Sequence, residues 1–185
     1  MRKLGTIDLI TGAIRARFKK LLSLIRLRLN ANQITDNVWM GGVNPPDLII
    51  KSGFEVVLDL REGDYTDYKS LLERNGIEYL NIKIPDGQGA SPETLSRIVD
   101  WLKARTSQGK KTLVHCNLGR GRAALATASY LTDKGATIDN AIQKMKKKRS
   151  ETYLNTTQVE TLEVYVNQES PHENDNQERN EHGMN

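Results

Sequence analysis

Residues 114–123 read Val-His-Cys-Asn-Leu-Gly-Arg-Gly-Arg-Ala, with two glycines, two arginines, no acid and the only cysteine in the chain. The run that leads into it, Thr112-Leu113-Val114-His115, has the apolar, β-branched character of a buried strand. The run that follows, Ala123–Leu131 (AALATASYL), is rich in helix formers. The loop between them therefore lies at the carboxyl end of a strand and the N-terminus of a helix. In α/β sheets that is where ligands bind, and free backbone N–H groups with the helix dipole favour anions there. Gly119 and Gly121 let the loop curl so that successive N–H groups converge, and Arg122 supplies a planar fork suited to phosphate oxygens. Cys116 stands first in the loop, where the same field favours a nucleophilic thiolate. A single cysteine excludes an internal disulfide, leaving a buried filler or a reactive group. The company it keeps favours reactivity.

Working outward, short β-branched runs alternate with helical patterns over residues 33–167. Val38–Met40, Phe54–Leu60 and Ile77–Ile84 read as further strands. Pro46–Ser52 reads as a helix closed by Gly53. Ser91-Pro92-Glu93 gives an N-cap, a proline at the first helical position and an early acid, and leads into Trp101 and Leu102. After Arg122 the pattern is helical, in three segments up to Asn167. This alternation predicts an α/β fold: a mainly parallel central sheet of about four to five strands, flanked by helices on both faces.

The termini differ from this middle. The net charge of +4 hides an N-terminal segment, residues 1–30, with eight cations against Asp8 alone. There Ile7, Ile10, Ile14, Phe18, Leu21, Leu22, Ile25 and Leu29 fall on a helical stripe about 120° wide, with Arg15, Lys19, Lys20 and Arg26 outside it. Residues 1–32 are thus read as a basic amphipathic helix or leader. It can lie on an anionic membrane surface or pack on the following domain. Residues 168–185 carry five acids against Arg179 and no apolar residue except Met184, the composition of a disordered tail. No run is long and apolar enough to span a membrane, and residues 1–30 lack the apolar core and small-residue cleavage site expected of a signal peptide. The basic charge sits at one end with few aromatics between, which argues against a nucleic-acid binder.

The stretch HCNLGRGR (residues 115–122) resembles the H-C-x-x-G-x-x-R signature of the cysteine-dependent protein tyrosine phosphatase superfamily. The resemblance covers about residues 33–167 and is nearest the compact dual-specificity type; VWMGG (38–42), VVLDLRE (56–62) and IPDGQGASPE (84–93) also carry it. It implies a metal-free phosphomonoester hydrolase, without cofactor, that works through a phosphocysteine. Cys116 would be the nucleophile, and Asn117, Leu118, Gly119, Arg120 and Gly121 with Arg122 would hold the phosphoryl oxygens. The departing oxygen must be protonated. Asp86, after a proline and 30 residues before Cys116, matches the general acid that the resemblance places in a mobile loop. A plain turn aspartate is the alternative for Asp86; Asp64 and Asp67 are runners-up, more in keeping with loop or cap positions.

His115 would support the nucleophile's loop or simply be a buried hydrogen-bonded histidine. Gln158, in Asn155-Thr156-Thr157-Gln158, either orients water or closes a helix capping box, the reading preferred here. Arg61 is expected to be a structural ion-pair partner. One departure stands out: the superfamily usually has Ser or Thr after the signature arginine, where this chain has Ala123. The expected partner is a phosphorylated protein, with an anionic phospholipid or inositol phosphate as the rival. A slow or non-catalytic phospho-binding module is the reading from another class. The expected location is the cytoplasm, with peripheral membrane contact through the basic helix as its variant.

Overall fold

The computed structural model describes residues 6–25 and 27–169. One sheet organises the chain, in the order β1-β2-β5-β3-β4. The strands are β1 (Ala31–Gln33), β2 (Val38–Gly41), β3 (Val56–Asp59), β4 (Glu78–Asn81) and β5 (Thr112–His115). Only β1 runs antiparallel, pairing Ala31 with Gly41 at the sheet edge. The rest is parallel, as expected. In the centre β5 lies between β2 and β3, with His115 beside Gly41 on one side and Asp59 on the other.

β3 and β5 are buried along their whole length, which explains their unbroken apolar runs. Alternate side chains serve two cores. Leu58 and Val114 face a large core built with α4 (Pro92–Thr106), α5 (Arg122–Asp133), α6 (Ile138–Lys148) and α7 (Thr156–Glu169). Val57 and Leu113 face a smaller one that contains Ile49 of α2 (Pro46–Lys51) and Leu72 of α3 (Thr66–Arg74). Helices thus cover both faces. Ser91 caps α4, its Oγ accepting from Thr94 N at 3.3 Å, with Pro92 in the first turn as read from the sequence.

Four elements differ from the sequence reading. The strands over 54–60 and 77–84 are trimmed to four residues each. A helix, α3, begins at Thr66 with Tyr65 as its N-cap, and Asp64, one residue earlier, accepts from Thr66 N at 3.0 Å. The N-terminal helix, α1 (Thr6–Leu24), ends earlier than its apolar pattern, and the chain then enters β1 at Ala31. The expected disordered tail lies, from residue 170 onward, outside the described residues. Among the described residues, no helix is long and apolar enough to cross a membrane.

Candidate active site

The loop between β5 and α5 leaves the middle of the sheet and returns directly into a helix. Gly121 is the N-cap of α5 and no side chain caps it, so the first-turn amides keep no local acceptor. The outward carbonyls explain the loop's shape. Asn117 O accepts from Val43 N at 3.1 Å, and Arg120 O from Tyr153 N at 3.1 Å. Leu118 O and Gly119 O accept from Arg149 Nη2 and Nε at 2.9 and 2.8 Å. Four successive carbonyls point out of the loop, so the amides of the same peptides turn inward. One of them, Gly119 N, donates to Cys116 Sγ at 3.3 Å. Gly119 has φ +70°, and a Cβ there would meet the Gly41 carbonyl carbon at 2.2 Å. No other residue fits that position.

Around this loop a cleft of about 220 Å³ is lined by Cys116, Leu118, Arg120, Gly121, Arg122 and Asp86, with Tyr153, Asn155 and Gln158 on its far wall. Arg122 is 5% exposed. Its Nη1 donates to Ile84 O at 3.0 Å and Leu60 O at 3.4 Å, which fixes the fork, while its Nε has no hydrogen-bond partner. Asp86 Oδ1 lies 2.8 Å from Arg122 Nη2, and the rest of the Asp86 side chain is open to solvent. The turn carrying Asp86 is held over the cleft by α7: Asn155 Nδ2 donates to Gly87 O at 2.7 Å and Gln158 Nε2 to Gln88 O at 3.2 Å. Asn117 lies on a neighbouring depression with Arg61, Glu62, Tyr65, Asp86 and Arg122.

The structure thus brings Cys116, Arg122 and Asp86 to one cleft. Leu118, Arg120 and Gly121 line it as well; Asn117 sits beside it, and Gly119 faces the sulfur. Arg120 borders the cleft, yet its Nε donates to Glu151 O at 3.1 Å and its Nη2 to Leu9 O of α1 at 3.3 Å. Gln158 forms the reciprocal capping box: its backbone N donates to Asn155 Oδ1 at 2.9 Å, and its Oε1 accepts from Asn155 N at 3.2 Å. The runner-up carboxylates are elsewhere, Asp64 accepting from Thr66 N just ahead of α3 and Asp67 in its first turn.

Behind the loop lies a buried polar layer. His115 is fully buried, its Nδ1 3.3 Å from Cys116 O. Burial holds its imidazole below the ordinary range against the opposing pull of Asp59. Its Nε2 is 3.8 Å from Asp59 Oδ2. Burial pushes the Asp59 carboxyl up, but His115, the Arg61 fork and Tyr79 outweigh it and hold the group below the usual carboxylate range. Arg61 is indeed an ion-pair partner, at 2.6 Å from Asp59.

Two residues of this layer escaped the sequence reading. Arg149 is fully buried and holds, besides the two loop carbonyls, Asn30 Oδ1 at 2.9 Å and Asn32 Oδ1 at 3.1 Å. Burial lowers its guanidinium, while the charges of Glu151 and Cys116 push it back. Glu151 lies 3.3 Å from Arg149 Nη1 and 2.7 Å from Lys19 Nζ of α1. In the sequence, Arg149 merely ends a run of lysines that reads as a solvated basic face. Nothing local marks it as buried.

Cys116, the loop of inward amides and Arg122 stand together as the signature read from the sequence requires, and residues 42–168 match the family described as the dual specificity phosphatase catalytic domain. The chain belongs to that family. Protein tyrosine phosphatase type IVA 2 of Mus musculus is 32% identical over 111 residues, covering 57% of this chain. The chain spans 64% of that relative's length. Phosphatidylglycerophosphate phosphatase PTPMT2 of Arabidopsis thaliana is 28% identical over 162 residues, 82% of this chain and 71% of the relative. Among solved structures, Tk-PTP in the active form superposes with TM-score 0.67 at 27% identity, covering 75% of this chain and 97% of that one.

Proposed function

We propose that the chain is a cysteine-dependent phosphomonoester hydrolase that works at an anionic membrane surface on a phosphorylated lipid headgroup. In the first step the Cys116 thiolate attacks phosphorus in line. The P–O bond to the leaving group breaks, and Asp86 gives that oxygen its proton. In the second step water attacks the phosphocysteine, the P–S bond breaks, and Asp86 takes the water's proton back. The inward amides and Arg122 hold the three phosphoryl oxygens throughout. Every group this chemistry needs lies on the cleft described above.

What carries the membrane reading is α1. Its large side chains Ile10, Ile14, Phe18, Leu21 and Leu24 face solvent, with Phe18 59% and Ile14 60% exposed. The following turn adds Ile25 and Leu27. Among the described residues only Leu71 and Val164 are comparably exposed elsewhere. Burying one such side chain fully stabilises by roughly 1.5–3 kcal/mol, so a row of them left in water marks a contact surface. Exposed Arg15, Arg17 and Arg28 flank the row, which suits anionic lipid over an apolar protein groove. A lipid headgroup is also consistent with the name of the Arabidopsis relative. The second reading, a phosphoprotein substrate, takes its support from the type IVA relatives and shares every chemical step.

The test is turnover of phosphatidylglycerophosphate in anionic vesicles against a phosphopeptide panel. Lipid should be hydrolysed with the higher kcat/KM, and vesicle binding should fall at high salt. Cys116→Ser should abolish hydrolysis of every substrate while phosphate binding persists. Full activity in Cys116→Ser would end the mechanism. Faster turnover of phosphopeptides, without vesicle binding, would shift the substrate to protein.

A further inference from the structure

The face of α1 opposite its apolar row does something else. Gly12, Ala16, Lys19, Lys20 and Ser23 recur at helical spacing, about 180° around the helix from Ile14 and Phe18. Gly12, Ala16 and Ser23 are buried. A Cβ on Gly12 would stand 3.4 Å from Arg120 Nη2, so the helix lies close against the catalytic loop. Ser23 Oγ donates to Asn44 Oδ1 at 2.7 Å and pins the far end. This helix buries its small and polar side and leaves its apolar side out.

That buried side reaches the catalytic loop by three routes. Lys20 Nζ donates to Asn117 Oδ1 at 2.6 Å. Lys19 pairs with Glu151, which pairs with Arg149, which holds the carbonyls of Leu118 and Gly119. Leu9 O accepts from Arg120 Nη2. All three contacts come from residues that precede the matched region, 42–168. They lie outside the family match.

We infer that α1 is a working part of the active site and that Lys20 is a positioning residue for the catalytic loop, acting through Asn117. Asn117 directly follows the nucleophile. Its carbonyl is already fixed by Val43 N, and the Lys20 ammonium fixes its side chain from the opposite element. With both ends held, the peptide joining Asn117 to Leu118 keeps its carbonyl out and its N–H toward the phosphoryl site. Release of the side chain frees that peptide to rotate and loosens the first amide of the oxyanion cradle. Because the opposite face of the same helix is the one offered to lipid, the catalytic loop is braced by the element that meets the membrane.

The inference rests on the catalytic reading of the loop but not on the identity of the substrate, so a soluble aryl phosphate is the right probe. Lys20→Met should lower kcat by roughly tenfold, as loss of a hydrogen bond to a charged group does. It should also weaken competitive inhibition by inorganic phosphate. Lys20→Arg, which keeps a cationic donor, should recover most of both. Lys147→Met removes the same charge from the exposed side of α6 and should change neither.

The decisive measurement is the double-mutant cycle with Asn117→Ala. If Lys20 acts through Asn117, the pair together should cost no more than either substitution alone. Thermal melting of each variant separates loss of fold from loss of positioning, since a merely structural lysine would lower Tm and leave phosphate inhibition intact. Wild-type kcat and phosphate inhibition in Lys20→Met, or strictly additive effects in the cycle, would overturn the inference. Neither result would touch the phosphatase reading, which stands or falls on Cys116→Ser.

Discussion

Two helices flank the Cys116 loop, and they use their amphipathic patterns in opposite ways. In α5, all residues from Arg122 to Leu131 are buried, because the helix lies between the sheet and three other helices. In α1 the large apolar residues are in water and Gly12, Ala16 and Ser23 make the protein contact. A periodic stripe tells which side chains share a face. It does not tell whether that face meets protein, and here the shape of the partner decides. The loop and the layer behind it offer α1 polar groups (Asn117 Oδ1, the Arg120 fork and the buried Glu151 carboxylate), which a row of Ile and Phe cannot satisfy. Small residues and lysines can.

The contrast is broken or sharpened most directly by truncating one apolar residue in each helix. Leu125, fully buried in α5, should cost about 2–5 kcal/mol as Leu125→Ala, through lost transfer energy and the cavity left behind. Ile14→Ser in α1 should stay within about 0.5 kcal/mol, as exposed substitutions do. Urea unfolding reads both. Equal destabilisation would mean that the α1 row is covered in solution, by a second copy of the chain for instance, and the membrane argument would go with it.

A smaller effect is expected at the first turn of α5. Ala123 is fully buried where the superfamily resemblance calls for a hydroxyl that assists the thiolate's departure. Hydrogen bonds to charged groups are worth roughly 1.5–3 kcal/mol, so breakdown of the phosphocysteine should limit turnover of reactive aryl phosphates. Rapid mixing should then show a burst near one equivalent, and Ala123→Ser should speed the steady phase about tenfold. A burst-free progress curve with no gain in Ala123→Ser would show that another group fills the role. Such a result would also make α5, like α1, a helix whose function its pattern conceals.

What was legible in the sequence divides along the same line. β5, its loop and α5 could be read because each demand is local: an apolar run, two glycines, an arginine fork and a run of helix formers within twenty residues. Asp86 was reached only through the family resemblance, since its turn alone suits a plain loop aspartate, and the structure sets it 2.8 Å from Arg122. β1 was not, since Ala31-Asn32-Gln33 is a three-residue edge strand without an apolar alternation. α3 was hidden in a polar stretch whose aspartates, Asp64 and Asp67, suit loop and cap positions equally. Arg149 and Glu151 were illegible for a different reason: only tertiary pairing with Asn30, Asn32, Lys19 and the loop carbonyls allows those charges to be buried. The seat of α1 could not be read either, because its contact residues are those that a hydrophobic pattern discards.

The smallest expected effect separates the two helices by pH. The layer behind the loop at the head of α5 contains His115, and the seat of α1 contains Glu151. Burial holds His115 below its ordinary value of 6.5, with the Asp59 charge opposing. Its imidazole is therefore neutral when folded, while the unfolded chain takes up a proton below 6.5. Stability must then fall as pH drops below that value, since the unfolded state binds more protons. For Glu151 burial alone would raise the carboxyl, but Arg149 and Lys19 outweigh it and hold the group below its ordinary 4.5. Its contribution is complete above that value and is lost as pH falls below it. Two successive acid limbs follow, the first assigned to His115 and the second shared by Glu151 in the seat of α1 and Asp59 in the loop's backing. Urea midpoints measured between about pH 7 and 4 should show the first limb disappear in His115→Asn and the second persist. In Glu151→Gln the lower limb should become shallower, keeping the share of Asp59, while the upper one remains. If His115→Asn leaves the upper limb unchanged, another group titrates there; if both substitutions flatten one common limb, the two helices are seated on a single cooperative layer.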